Sequence, residues 1–483
     1  MEPISRRAAL QLTVLGVASA VVGGSGLLRA LSNSPGATGA SAGELVEPPA
    51  LTSVDSVLTV SLVAAAGTVQ VAGRTVRALG YNGAVPGPTW RVRPGDRLQV
   101  TLVNELDHAT NLHTHGLFVS PDGNGDNPFI AVEPGQRFDY DIHLPEDHPP
   151  GLYWYHPHHH GTVADQIFGG LYGAIIVEDP TDLPVTRERV LVISDITLDA
   201  SGDVAAATRA DQMMGREGET VLVNGQVRPV LRARPGERER WRVVNACVSR
   251  HLDLRVPGQD LTLLGMDSGR TPTPRPVDRV LLAPGNRADL IVQTGPGSGE
   301  VLAVPVDRGA PMGMMMGPPT SGATLALARV EVDGAPPEPL GPLPRQPAPR
   351  DLSGVDVARR RELTLAMGMG MGMGGGMSFT IDGKEFDPDR IDQDVAVGDV
   401  EEWTLVNTSP MDHPFHLHVW PMQVLREGTH TPEDVTWRDV VTIPAHGSTV
   451  VRIPFDRYAG RTVYHCHILD HEDLGMMGVI QAT

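Results

Sequence analysis

The chain is poor in cysteine: it has 483 residues and only two cysteines, Cys247 and Cys466. If Cys466 is a metal thiolate, Cys247 has no partner and the protein has no disulfide. Cys247 follows the largely apolar run Trp241–Ala246, which predicts a buried, inert thiol rather than a reactive one.

The chain also lacks an excess of positive charge. Its 39 Lys and Arg residues stand against 58 Asp and Glu residues, which gives a formal net charge of −19 at pH 7. This balance argues against a nucleic acid as partner and is compatible with cations. Lys384 is the only lysine, which we interpret as genome composition rather than function.

No long stretch with helical periodicity follows residue 30. The chain contains 54 glycines and 42 prolines, and 41% of its residues are hydrophobic. This composition favours a turn-rich β architecture with full cores. The length corresponds to roughly three domains of about 150 residues each.

Residues 1–30 are similar to a twin-arginine export signal, because Arg6 and Arg7 precede an apolar stretch that ends near Leu28. That route carries folded proteins and suits a protein that receives metal before or during export, so we expect a periplasmic, cell-surface or secreted protein. The alternative is an N-terminal membrane anchor, and membrane contact is predicted only through such an uncleaved segment. Residues 31–50 are predicted to be a flexible linker, so signal and linker span 1–50.

One pattern occurs three times: a glycine nine residues before an asparagine, as a turn followed by an alternating strand. The pairs are Gly95 with Asn104, Gly236 with Asn245, and Gly398 with Asn407. A second repeated block is formed by Glu133–Arg137, Ala283–Arg287 and, more weakly, Ala445–Gly447. Three copies of one β unit predict an all-β protein of three similar β-sandwich domains, over residues 51–182, 183–350 and 351–483.

The repeat places candidate ligands in the first and third copies only. Nine residues after Asn104 stands His113, and nine after Asn407 stands His416. Each begins a His-x-His pair, whereas counting along the middle copy gives Leu254 and Val256 at the equivalent places. The middle domain is therefore predicted to bind no metal.

Each of the two liganded domains has a second His-x-His pair, so that eight imidazoles are available. They are His113, His115, His156, His158, His416, His418, His465 and His467. Residues i and i+2 of a strand share one face about 6.6 Å apart, which suits one histidine for each of two neighbouring metals. Eight imidazoles are too many for one ion and fit a cluster of three coppers.

A second metal site is indicated by Cys466, which stands between two of these histidines. Successive side chains of a strand point to opposite faces, so Cys466 is predicted to bind a different metal from its neighbours. His471 and Met476 follow a short loop away, and His413 can supply a second imidazole. Thiolate, imidazole and a weak thioether are the ligands of a blue copper electron-transfer site. Only a few covalent bonds separate the two predicted sites.

These motifs are similar to those of the multicopper oxidases over about residues 55–483. The resemblance implies three cupredoxin-like Greek-key β-sandwich domains, a trinuclear site between the first and third, and four coppers per chain. It implies a type 1 site of His413, Cys466, His471 and Met476, and a type 2 site of His113 and His416. It implies a type 3 pair bound by His115, His156, His158, His418, His465 and His467. All twelve positions carry the expected residue.

The resemblance further implies that electrons from a reductant enter at type 1 copper and pass through Cys466 to the cluster, where dioxygen is reduced to two waters. Glu472 and Asp126 match carboxylates that the family places near the cluster for proton supply. Surface or turn roles are the alternatives, and the setting of Asp126 is typical of a turn. His159 and His160 are interpreted as supporting or loop residues rather than ligands.

Two methionine-rich segments bear on the reductant. The first contains Met312, Met314, Met315 and Met316, and the second contains Met367, Met369, Met371, Met373 and Met377. Soft thioethers prefer Cu(I), and methionines among glycines are not expected to pack in a core. The alternative is a low-complexity loop without a role.

Exported bacterial members of the family that oxidise Cu(I) for copper tolerance carry similar insertions, and use a Met and an Asp just before the first type 1 histidine. Met411 matches that Met, whereas Ser409 stands at the place of the acid and only Asp412 is near. The candidate Cu(I) residues are Met411, Met367, Met369, Met371 and Met373.

Two other functions stay open. One is laccase-like oxidation of phenolic compounds without a role in copper homeostasis, and oxidation of both Cu(I) and phenols by one protein is also compatible with the sequence. The other is a copper-free structural protein of the same fold, which would have lost the ligands that this chain keeps. A two-domain nitrite reductase is disfavoured by the third repeat and the type 3 ligands.

Overall fold

The computed structural model describes residues 43–309, 322–369 and 377–483. The predicted export signal, Met312–Met316, Met371 and Met373 lie outside the described residues. Within the described part of the chain, no helix has the length and apolar character needed to cross a membrane.

The first region consists of two sheets and one short helix. Its elements are β1 (Ala50–Thr52), β2 (Val57–Val71), β3 (Arg74–Tyr81), β4 (Thr89–Val92), β5 (Arg97–Glu105), β6 (His113–His115), β7 (Arg137–His143), β8 (Gly151–His156), α1 (Val163–Gly169) and β9 (Gly173–Val177). The sheet orders are β1-β4-β9-β8-β6 and β3-β2-β5-β7. Buried and less buried residues alternate along β5, because one face of its sheet covers a core that includes Trp90 and Leu102.

The middle region repeats this architecture. Its elements are β10 (Arg187–Ile196), α2 (Arg209–Met214), β11 (Thr220–Val223), β12 (Val230–Ala233), β13 (Arg238–Asn245), β14 (Leu252–Arg255), β15 (Asp260–Met266), β16 (Gly269–Val277), β17 (Val280–Leu282), β18 (Arg287–Gln293), β19 (Gly299–Val304) and β20 (Leu325–Val332). The sheet orders are β11-β10-β13-β18-β15-β16 and β12-β20-β19-β14-β17. Trp241, Leu254 and Leu290 belong to its core.

The third region has the same plan. Its elements are β21 (Arg359–Met369), β22 (Met377–Ile381), β23 (Gln393–Val395), β24 (Val400–Asn407), β25 (His413–Leu417), β26 (Met422–Glu427), β27 (Thr436–Arg438), β28 (Val440–Ile443), β29 (Ser448–Pro454), β30 (Gly460–Cys466), α3 (Leu469–Asp473) and β31 (Met477–Ala482). The sheet orders are β22-β21-β24-β29-β26-β27 and β23-β31-β30-β25-β28. Three two-sheet regions confirm the all-β prediction, while the exact domain boundaries stay a prediction.

The repeated asparagine has the same structural role in each region, because its side-chain amide donates to two backbone carbonyl groups of neighbouring loops. The acceptors are His108 and Val132 for Asn104, Arg250 and Leu282 for Asn245, and Met411 and Ile443 for Asn407, at 2.7–3.0 Å. These buried bonds hold the end of one strand against the turn that opens another. The repeat therefore encodes a loop anchor.

The same anchor corrects the sequence alignment of the middle copy. Asn104 and Asn407 bind the carbonyl group four residues ahead, whereas Asn245 binds the carbonyl group of Arg250, five residues ahead. The middle loop is thus one residue longer. In β14, Leu252 pairs with Leu282, as His413 pairs with Ile443 in β25. Counting from that pair, Arg255 and Pro257, not Leu254 and Val256, stand where the outer copies have histidines. The expectation of Leu254 and Val256 at these places was wrong, although neither Arg nor Pro is a typical ligand.

An apolar cluster joins the three regions beside the histidine-bearing strands. Trp154 of β8, Ile167 of α1 and Val192 of β10 belong to it, together with Leu469 of α3. Because this cluster is buried on all sides, it fixes the first and third regions relative to the middle one.

Candidate metal centre

Two pairs of neighbouring strands carry the eight histidines. In the first region β6 pairs with β8, which sets His113 opposite His156. In the third region β25 pairs with β30, which sets His416 opposite His465. Directly opposed residues share a face of the sheet, so each pair of strands presents its histidines together. All eight rings are buried.

The histidines of the first and third regions interleave. His113 stacks on His418 and His115 stacks on His416, each with 3.8 Å between ring centroids. Each stacked pair thus contains one histidine from each of the two regions. The structure brings all eight predicted histidines together.

Several ring nitrogens converge at the centre of this cluster. The Nε2 atoms of His158, His418 and His465 lie 3.1–3.2 Å from one another. Within the described residues, Nε2 of His113 and of His416 and both nitrogens of His467 are buried without a hydrogen-bond partner. Buried polar atoms are rarely left unsatisfied, so their number here fits bound metal ions, and imidazole suits copper.

Hydrogen bonds on the opposite ring atoms fix which nitrogen is free. The Nδ1–H groups of four of the eight rings have an oxygen acceptor, namely Asp126 for His113, Pro157 for His156, Asp439 for His416 and Cys466 for His465, at 2.8–3.0 Å. In these four rings Nε2 is left toward the centre of the cluster. His115 has the opposite arrangement: its Nε2 lies 3.1 Å from Oδ1 of Asp439, which leaves Nδ1 as its free donor atom.

Asp126 lies inside the cluster and not at an exposed turn. Its Oδ2 is 2.9 Å from Nδ1 of His113, and its Oδ1 accepts the backbone N–H of Thr114 at 2.7 Å. Burial raises the pKa of Asp126 to about 7. The carboxyl group is thus placed to orient His113 and to hold a proton near neutral pH.

Glu472 approaches the cluster from the other side, on α3. Its Oε2 lies 2.9 Å from Nδ1 of His465 and its Oε1 lies 3.4 Å from Nε2 of His158. The Nδ1–H of His465 is directed to the carbonyl oxygen of Cys466, and among the described residues neither carboxyl oxygen of Glu472 has a hydrogen-bond partner. Burial raises its pKa to about 7.

A second cluster contains the remaining predicted ligands. Nδ1 of His413 and Nδ1 of His471 lie 3.3 and 4.0 Å from Sγ of Cys466. Met476 is buried beside them, and its carbonyl oxygen accepts the N–H of Cys466 at 3.0 Å. Burial raises the pKa of the Cys466 thiol, so a bound cation is needed to hold it as thiolate.

The outer nitrogens of this second cluster contact Ser409, which the sequence analysis named only as the residue at the place of an acid, and Met213, which it missed. Nε2 of His413 lies 2.7 Å from Oγ of Ser409, and Nε2 of His471 lies 3.0 Å from the carbonyl oxygen of Met213 in α2. Asp439 in the eight-histidine cluster was missed as well. Neither Met213 nor Asp439 belongs to a spaced motif, and the adjacent methionines at positions 213 and 214 were the only available signal.

The methionine-rich hairpin begins beside this cluster. The Phe379 ring stacks on His471 with 4.4 Å between centroids, and Met367 lies opposite Phe379 in the β21–β22 ladder. Met367 and Met377 are half-buried against the core of the third region, which differs from the expectation that core packing does not explain these methionines. Met411 is fully buried in the same core.

Comparison with known proteins agrees with this geometry. Three multicopper oxidase family models match residues 64–182, 187–300 and 358–483. A multicopper oxidase of Staphylococcus haemolyticus is 29% identical over 426 residues, which cover 84% of each chain.

Solved structures extend the similarity to the whole fold. A multicopper oxidase from Campylobacter jejuni, described as a metallo-oxidase, has a TM-score of 0.81 and 30% identity and covers 91% of this chain and 95% of its own. A laccase-like multicopper oxidase from Ochrobactrum sp., described as active towards lignin model compounds, has a TM-score of 0.77 and 28% identity over 91% and 100%.

These similarities confirm the predicted cupredoxin-like fold and oxidoreductase class, and the family implies four coppers per chain, as predicted. The chain therefore belongs to the multicopper oxidase family.

Proposed function

We propose that this protein is an exported oxidase that couples one-electron oxidation of Cu(I) to the reduction of dioxygen to water, in the service of copper tolerance. The observation that carries the proposal is the position of Cys466 between His465 and His467. It places the thiol in one cluster and both neighbouring imidazoles in the other. The backbone of three residues thereby links the two sites.

We assign the residues as follows. His413, Cys466, His471 and Met476 hold type 1 copper; His113 and His416 hold type 2; and His115, His156, His158, His418, His465 and His467 hold the type 3 pair. When bound, the four coppers supply a one-electron acceptor and the place where dioxygen takes up four electrons. The hydrogen bonds on the outer ring nitrogens orient the imidazoles for this binding.

Proton supply falls to two buried carboxyl groups on opposite sides of the eight-histidine cluster. Asp126 contacts the ring of His113, and Glu472 lies beside His158 and His465. Each carboxyl oxygen can accept a proton from the solvent side and release it toward the cluster. A group with a pKa near neutral serves this role best.

The choice of Cu(I) as reductant rests on the methionines of the β21–β22 hairpin, which begins near His471. The β21–β22 hairpin begins next to the Phe379 ring that covers His471, and the carbonyl oxygen of Met213 binds the same histidine. Thioethers select Cu(I). The formal net charge of −19 also favours the approach of a cation.

The test replaces Met367, Met369, Met371 and Met373 together by leucine, which keeps apolar volume and removes sulfur. We expect the KM for Cu(I) to rise about tenfold or more, while turnover of a phenol stays unchanged. Replacing the half-buried Leu325 and the exposed Leu281 by methionine, away from this hairpin, serves as a matched control for volume. An equal loss of both activities in the quadruple variant would indicate a folding role for the hairpin.

Laccase-like oxidation of phenolic compounds is the second candidate. It is favoured by the complete burial of Met411 and by Ser409, whose hydroxyl group is bound to His413. These two residues then offer no open Cu(I) site. Unchanged KM for Cu(I) in the quadruple leucine variant would make this the preferred function.

Export by the twin-arginine route is a separate part of the proposal, supported by Arg6 and Arg7 before the apolar stretch. Replacement of both arginines by lysine should retain the precursor in the cytoplasm, as fractionation and immunoblotting would reveal. Delivery of the double variant at the normal level would exclude this route.

A further inference from the structure

The middle region reaches the eight-histidine cluster although its repeat carries no candidate ligand. The turn Ala283–Asn286 leads into β18 and lies against the cluster. A Cβ atom added to Gly285 would lie 2.8 Å from Cε1 and from Nε2 of His467. With φ of +85°, Gly285 also has a conformation that other residues adopt only at a cost. Backbone geometry and ring contact both restrict this position to glycine.

Arg287, the first residue of β18, connects all three regions. Its guanidinium donates to both carboxylate oxygens of Asp439 at 2.5 and 2.6 Å, and its Nε donates to the carbonyl oxygen of Leu152 at 3.1 Å. Its backbone N–H donates to Asp267 at 3.0 Å. The side chain is fully buried. A bidentate pair of this kind fixes the plane of the carboxylate as well as its position.

Asp439 transmits this constraint to two histidines from different regions. Its Oδ1 accepts the Nε2–H of His115 at 3.1 Å, and its backbone carbonyl oxygen accepts the Nδ1–H of His416 at 2.8 Å. The position of this one residue therefore decides which nitrogen of each ring is free to bind metal.

We propose that Arg287 and Gly285 are positioning residues of the trinuclear site, through which the middle region orients His115, His416 and His467. The inference rests on the proposed copper assignment of these histidines. In the described part of the chain, the hydrogen bonds of Arg287 and Asp439 include no type 1 residue. Loss of the contact should accordingly disturb type 2 and type 3 copper and spare type 1.

The first test compares Arg287→Gln with Arg240→Gln. Arg240 is also a buried arginine of the middle region: it binds Asp289 at 2.6 and 2.8 Å and reaches Asp179 of the first region at 2.6 Å. None of these partners is a cluster histidine. For each variant we would measure the copper affinity by chelator competition and the number of coppers per chain. We would also record the type 1 absorption and the type 2 electron paramagnetic resonance spectrum.

We expect Arg287→Gln to keep the type 1 absorption, to change the type 2 spectrum and to weaken type 2 copper binding about 10–100-fold, the range typical of residues that orient metal ligands. Arg240→Gln should leave all three unchanged. Arg287→Lys keeps the positive charge but lacks the planar guanidinium group. Compared with Arg287→Gln, it should bind type 2 copper more tightly if the charge contributes, and equally weakly if only the geometry matters.

The second test does not depend on the stability of an arginine variant. Gly285→Ala is compared with Gly258→Ala, an exposed turn glycine of the same region with φ of +82° and nothing within 4 Å of an added Cβ. Backbone strain is matched, so a difference reports the contact with His467. We expect only Gly285→Ala to alter the type 3 absorption.

Unchanged copper affinity and spectra in both Arg287→Gln and Gly285→Ala would overturn the inference. The unmodified protein distinguishes this result from failure of the proposed function. If that protein binds four coppers and is blue, the copper assignment stands whatever the variants do. If it binds none, the assignment itself is wrong.

Discussion

The middle copy of the repeat has one more residue in one loop than the outer copies, and this residue shifts which positions correspond to the histidines of the outer copies. The loop anchor spans four residues at Asn104 and Asn407 and five at Asn245. Counting along the sequence aligns Leu254 with the buried histidine His416. In the structure, however, Leu254 belongs to the core of the middle region. A shift of one residue in a strand exchanges its two faces. Spacing along a sequence therefore predicts a ligand only when the loop lengths agree.

The second repeated block also contains equivalent residues with different surroundings, in this case two arginines. Gln136 and Asn286 hold the same backbone bond to the anchoring asparagine, so Arg137 and Arg287 are equivalent. The Arg137 side chain is 72% exposed, whereas that of Arg287 is 0% exposed and bound to Asp439. The equivalent position is a surface residue in one region and part of the cluster environment in another, because Arg287 of the middle region contacts Leu152 of the first region and Asp439 of the third.

The strongest contrast between the regions is expected at the two cysteines. Cys466→Ser should remove the blue colour and reduce oxidase activity to background while type 2 copper stays bound, because the thiolate is the only plausible source of the charge-transfer band. Cys247→Ser, in the middle region, should keep the colour and activity and lose about 1–3 kcal/mol of stability from burial of a hydroxyl group. Absorption spectra and copper analysis of both variants test this prediction. A blue Cys466→Ser protein would exclude the type 1 assignment.

Buried carboxyl groups provide the next contrast. Glu472→Gln should slow turnover about 100-fold with normal colour and copper content, since an amide cannot relay protons. Asp195→Asn in the middle region is the control, because burial raises the pKa of that carboxyl group too but it pairs with Arg250. Its turnover should be normal. Steady-state oxygen consumption is the measurement, and normal oxygen reduction in Glu472→Gln would refute the relay.

The one-residue shift itself is tested by histidine at two adjacent positions. Leu254→His should lower the free energy of unfolding by about 3 kcal/mol or more, because it replaces a core side chain with an unpaired polar ring. Arg255→His, at a position with an exposed side chain, should have a much smaller effect on stability than Leu254→His. Chemical denaturation measures the free energy of unfolding of both variants. A larger loss in Arg255→His than in Leu254→His would favour the alignment obtained by counting along the sequence. Copper content should be unchanged in both.

The smallest effect is expected at His251, a buried histidine of the longer middle loop. Burial lowers its pKa to about 3, so the folded protein keeps it neutral while the unfolded chain binds a proton below about pH 6.5. Its contribution to stability is complete above that pH and decreases by about 2 kcal/mol at pH 5.

His251→Ala should therefore lose less stability between pH 7 and pH 5 than the unmodified protein, with unchanged copper content. Denaturation at the two pH values, with copper analysis of each sample, provides the test. Loss of a copper equivalent would mean that the middle region contributes a ligand after all.

The sequence by itself determined the β architecture, the number of copies and the residues of both clusters. Alternation along strands such as β5 and the repeated glycine and asparagine are local features, and His-x-His and His465–His467 encode shared and opposite faces of single strands. The family resemblance sorted these residues into copper types, a division that spacing alone does not give.

Only the tertiary structure decided which carboxylates and carbonyl groups hold the imidazoles, and what the middle region contributes. Asp439 meets His115 from 324 positions away, and Arg287 meets Asp439 from 152 positions away. No periodicity relates residues so distant, because their contact depends on how the three sandwiches pack against one another. The sequence specifies each ligand within its own strand, whereas the orientation of its ring is set by neighbours from other regions.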